Sequence, residues 1–180
     1  MLQFPPLPTW DSLHPLIIHF PIALLLICPL FVLIGAFLSP AKGRPYLSTA
    51  LILLLLGTAS LFVAVKTGEA TSQLVDRDPP VEVLLKSHQA LAVETRDVFV
   101  TLSMIACGVF FVPRLLGKTD ALLFSRVLPL SFLVFYAVGI IFLVNTADRG
   151  GRMVHELGVH AMISPTTEKP AASPGNPTSE

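Results

Sequence analysis

Charge is what this chain has little of. Lys, Arg, Asp and Glu make up 13% of its 180 residues, against about 25% in average soluble chains. Twelve basic residues balance twelve acidic ones, so nothing electrostatic draws it to nucleic acid. Cysteine is also scarce. Cys28 and Cys107 both lie in apolar runs and form no CxxC or CxxCH. That excludes a disulfide framework, CxxC redox chemistry and c-type haem attachment, and leaves two small buried hydrophobes. A Gly-rich phosphate loop and a GxSxG elbow are missing. The acids Glu69, Asp76, Asp78 and Glu82 lack EF-hand spacing and read as a solvated loop.

What the chain has is hydrocarbon, with 53% of its residues apolar. From Pro15 to Leu38 run 24 residues without Asp, Glu, Lys or Arg, and a helix needs roughly 20 such residues to cross a bilayer core. Three more runs follow, giving predicted spans at about 15–38, 47–65, 98–116 and 127–145. Apart from Arg114 at the end of the third, none contains a charge, which argues against a proton-relay pump or a charged channel filter. Four helices without broken repeats are too few for a typical secondary transporter. The expected fold is all-α: a four-helix transmembrane bundle with a short interfacial segment after the fourth helix.

Residues 1–13 read as an interfacial lead-in with Trp10 at headgroup level. They hold no Lys or Arg, and the first apolar run exceeds a signal-peptide core, so it reads as a retained helix. Residues 14–163 form the membrane domain, and 164–180, rich in Pro, Ser and Thr, a disordered tail. His14-Pro15 suits a helix start. Pro21 and Pro29 fall inside the first helix, where neighbours must satisfy the carbonyls they free. Ser39–Tyr46 reads as a turn and Thr67–Val81 as a polar loop. A helix should start just after Pro79-Pro80 and run into the third span, and Gly150-Gly151 should break the chain after the fourth. The backbone beyond that break fits neither helix nor strand cleanly.

An even number of spans puts both termini on one face. His14, His19, His88, His155 and His160 all fall on that face or just beneath it. The opposite end carries Lys42, Arg44, Arg114, Lys118 and Arg126 against Asp120 alone. Basic density in short loops marks the cytoplasmic side, so the termini and histidines are expected on the periplasmic or extracellular side.

Three motifs carry a resemblance: LHPLIIHFPIALL in the first helix, TGEAT followed by KSHQALA between helices two and three, and DRGGRMVHELGVHA after helix four. Together they resemble the bacterial four-helix membrane proteins of domain of unknown function 2231, over roughly residues 12–160. The resemblance implies an inner-membrane protein, of a kind sometimes attached to cytochrome-type or other electron-transfer modules. By position, His14, Pro15, His19, Phe20 and Pro21 match the opening motif, and Gly68 and His88 the middle one. Gly150, Gly151, Val154 and Gly158 match the closing one. This chain departs where the family often has tyrosine at His155, histidine near Leu157 and glycine at His160.

Imidazole is the commonest biological metal ligand and an axial ligand of haem. His19, about one turn inside the membrane, and His88, on the amphipathic approach to the third span, are the preferred cofactor ligands. His14 is an alternate, because five residues separate it from His19, about 140° around a regular helix. His155 and His160 are candidate metal ligands. Two readings stay open. One is a redox-associated subunit binding haem b or a metal ion and able to pass electrons to a partner cytochrome. The other is a structural or assembly subunit of a larger membrane complex without its own cofactor. Neither requires a stand-alone enzyme. Metal handling at the outer face without haem is a third.

Overall fold

The computed structural model describes residues 9–159 and is helical throughout, with no strand among them. After a 3₁₀ turn at Trp10–Ser12 come α1 (His14–Ile17), α2 (His19–Phe37), α3 (Pro40–Thr71), α4 (Pro79–Leu115) and α5 (Leu128–His155). The lead-in before Thr9, the tail and His160 lie outside the described residues. Four passes, with α1 and α2 counted as one, are long and apolar enough to cross a membrane.

The helices form a ring. α2 lies along α3 and α4 along α5, and α3–α4 and α2–α5 contacts close it. Leu25, Leu54, Phe99, Phe132 and Tyr136 fill the centre, where Phe99 meets Tyr136 edge-on at 5.6 Å. Outside, Phe20, Leu30, Phe37, Met104, Leu115, Val134 and Ile141 stand exposed. A surface this apolar suits lipid, not water.

Proline shapes the path. Pro29 has no N–H for the Leu25 carbonyl four residues back. The Tyr136 hydroxyl, from α5, donates to that carbonyl at 2.8 Å. The freed acceptor is thereby satisfied inside the bundle, as hydrocarbon surroundings demand.

Several expected boundaries are corrected. Ser39–Tyr46 is not a turn: α3 restarts at Pro40, a first position that needs no N–H. The close link is possible because Gly43 lies on the Gly35 backbone, where a Cβ would collide with the Gly35 carbonyl. All of TGEAT is helical too, since α3 runs to Thr71 before a 3₁₀ turn at Ser72–Leu74. α4 begins at Pro79 as the Pro-Pro pair suggests, and its 37 residues extend about 55 Å, well past a core of about 30 Å. Gly150-Gly151 does not break α5, which continues to His155. A helical glycine costs only about 1 kcal/mol, and packing against α4 offsets it. The helix stops short of Gly158, whose φ is +63°.

Candidate functional site

The histidine-bearing end is built from the start of α1, the end of α3, the outer part of α4 and the end of α5. His14 opens α1, with Pro15 directly after it as the preformed first turn. Its Nδ1 lies 3.1 Å from the Thr67 hydroxyl on α3. Thr67 is fully buried, and its own proton is directed to the carbonyls of Val63 at 3.0 Å and Ala64 at 3.1 Å. The hydroxyl oxygen can then only accept from the ring, so Nδ1 of His14 donates.

His88 reaches the same arrangement from the other helix pair. Its Nδ1 lies 3.0 Å from the Thr146 backbone carbonyl on α5, which can only accept. Both rings are therefore fixed as Nδ1–H tautomers in the neutral form, an assignment from hydrogen-bond accounting. Each leaves Nε2 as the nitrogen with a lone pair. The two rings lie within electrostatic reach of one another. His14 and His88 thus stand at the same end of the bundle, one held by α3 and the other by α5.

A glycine backs each ring. A Cβ at Gly68 would stand 2.9 Å from Cε1 of His14, and one at Gly150 would stand 3.2 Å from Cε1 of His88. Gly151 has nothing within 4 Å of such an atom. Around His88, Thr95 and Thr146 join hydroxyls at 2.7 Å, and Arg149 donates to the Ser87 carbonyl at 3.0 Å. These bonds fasten α4 to α5.

The other histidines stand apart. His19 is exposed, and its Nδ1 donates to the Pro15 carbonyl at 2.7 Å within its own segment. The structure therefore turns His14, and not His19, toward a neighbouring helix. The helical path continues through Ile18, at φ −59° and ψ −27°, so residues five apart diverge by about 140°, and the turn that aims His14 at α3 aims His19 outward. Pro21 lies buried in the first turn of α2. His155 is exposed at the last turn of α5, next to the Arg152–Glu156 ion pair.

The donor chemistry can be tested against a cofactor. Metal-binding imidazoles typically donate their second ring N–H to a carbonyl or similar acceptor, which orients the ring and raises its basicity. His14 and His88 both do so. Among the described residues no three His, Cys, Asp or Glu side chains group as a metal site. Two imidazoles fit an iron that already has macrocycle nitrogens, and protein zinc sites need three or four ligands. Among the described residues this donor set falls short of what a free-standing tetrahedral ion needs.

Sequence reasoning does not single out Thr67 or Thr146, which are uncharged and common in helices. The one hint is that Thr67 immediately precedes Gly68 in TGEAT. No curated protein and no solved structure matches the chain. A family model described as "Predicted membrane protein (DUF2231)" matches residues 11–162. With four apolar helices behind that match, the chain belongs to the DUF2231 family of predicted membrane proteins.

Proposed function

We propose that this membrane protein is a haem b-binding subunit of an electron-transfer assembly, in which His14 and His88 would hold the haem. The observation that carries the reading is the matched pair of imidazoles, each with Nδ1–H engaged and Nε2 left as the ligand atom. When bound, haem supplies a one-electron iron couple. Everything else is done by the chain. Thr67 and the Thr146 carbonyl hold the Nδ1 protons and so fix both ring orientations. Gly68 and Gly150 keep the space beside the rings free of side chains. Each ligand comes from a different helix pair, so binding would draw the halves together.

Charge supports an orientation within this reading. The opposite end is the more basic one in short segments, which favours it as the cytoplasmic side. The imidazole pair would then face the periplasm of a bacterial inner membrane, where a partner cytochrome could approach. The test is a reduced-minus-oxidised visible spectrum of the protein purified in detergent after expression with adequate haem. Sharp α and β bands at about one haem per chain support the reading, and a flat spectrum refutes it.

The same bonds also favour a second reading. His14–Thr67 and His88–Thr146 tie neighbouring helices, and such ties can serve a structural or assembly subunit without cofactor. A stoichiometric membrane partner with no chromophore would favour this alternative.

A further inference from the structure

The end of the bundle opposite the histidines encloses a cavity of about 70 Å³, lined by all four passes. Its floor is apolar, with Leu47, Leu51 and Phe132 among the lining residues. Two guanidiniums line it too, Arg44 from the first turns of α3 and Arg114 from the last turn of α4. Arg44 donates to the Thr119 hydroxyl at 2.7 Å and pairs with Asp120. Arg114 lies 3.4 Å over the Phe110 ring and donates to the Phe110 carbonyl. Asp120 is the one carboxylate in the two short segments here, against Lys42, Arg44, Arg114, Lys118 and Arg126.

A second observation points to a ligand. Ser125 is only 8% exposed and lines the same cavity, yet its hydroxyl makes no hydrogen bond among the described residues. No side-chain polar atom sealed from solvent among the described residues lacks a partner, so this hydroxyl is accessible. Here it stands as a spare donor beside two cations. Paired guanidiniums with a hydroxyl are the usual receptors of phosphate oxygens. The level is that of the headgroups, where the apolar spans end, and basic pockets between membrane helices characteristically hold anionic lipid heads.

We infer that this cavity binds the phosphate of an anionic phospholipid, held by Arg44 and Arg114 and capped by the Ser125 hydroxyl, with the apolar floor against the lipid's first carbons. A lipid satisfies both halves of the site, whereas free phosphate satisfies only the polar one.

The test is native mass spectrometry of the full chain from nanodiscs of phosphatidylglycerol mixed with phosphatidylcholine. The expected result is one retained phosphatidylglycerol per chain, depleted about tenfold, or about 1.4 kcal/mol, in Arg44→Gln/Arg114→Gln. Ser125→Ala should weaken retention severalfold while leaving the thermal midpoint in detergent unchanged, which separates loss of the ligand from loss of the fold. Retention by the double variant equal to wild type overturns the proposal. Displacement of the lipid by millimolar inorganic phosphate also overturns it, and assigns the site to the free ion.

Discussion

The imidazole of His88 rests on the bare backbone of Gly150, leaving 3.2 Å between its Cε1 and the position a Cβ would take. Its neighbour Gly151 meets nothing within 4 Å. Two adjacent helical glycines should therefore respond in opposite ways to the same substitution. Gly151→Ala should raise thermal stability in detergent by about 0.5–1 kcal/mol, the ordinary gain in a helix interior. Gly150→Ala should gain nothing or lose stability, because His88 must give way. Equal gains at both positions would show that His88 does not pack there.

Gly68→Ala should be the more damaging change at the matching position on α3. There the added Cβ would stand 2.9 Å from Cε1 of His14, so the ring must leave Thr67. The loss should be about 1–3 kcal/mol, a broken bond plus an unpaired group. Denaturation in detergent, followed by helical circular dichroism, measures it.

Deep in the bundle, the Tyr136 hydroxyl supplies the Leu25 carbonyl with the donor that Pro29 withholds. Tyr136→Phe should cost about 1–3 kcal/mol, since the carbonyl is then orphaned in a buried site. In a Pro29→Ala background the backbone N–H returns, and the same Tyr136→Phe change should cost markedly less. A double-mutant cycle reads the coupling directly. Additive losses would mean that the hydroxyl does not stand in for the missing N–H.

Thr67 is a positioning residue for His14. Thr67→Val removes the acceptor of the Nδ1 proton and should weaken haem retention about 10–100-fold, the usual effect of losing a ligand's outer partner. Thr67→Ser keeps the oxygen and should restore retention and the wild-type band positions. Haem titration followed by absorbance separates these outcomes from simple loss of fold.

Much of this architecture is legible in the sequence because hydrocarbon leaves few choices. Uncharged runs announce four passes, and an even count sends all five histidines toward one end. Pro29 even states that a neighbour must supply a donor, although only the structure names Tyr136. The site is less legible, for a physical reason. The 140° between His14 and His19 states that they point different ways, and only the structure shows that His14 is the one turned toward α3. Gly150-Gly151 reads as a helix breaker because propensity is local. Packing against His88 is tertiary and overrides it. Thr67 and Thr146 acquire their roles only once α1 meets α3 and α4 meets α5. The cavity beneath Arg44 and Arg114 likewise joins four passes that no local pattern connects.

The most direct measurement is the reduced-minus-oxidised spectrum of the wild type beside His14→Ala, His88→Ala and His19→Ala, each purified identically and checked for helical content. The account predicts sharp α and β bands in the wild type and in His19→Ala. It predicts their loss in His14→Ala and in His88→Ala, with exogenous imidazole restoring the bands in both. Bands absent from the wild type, or present in all four proteins, would contradict it.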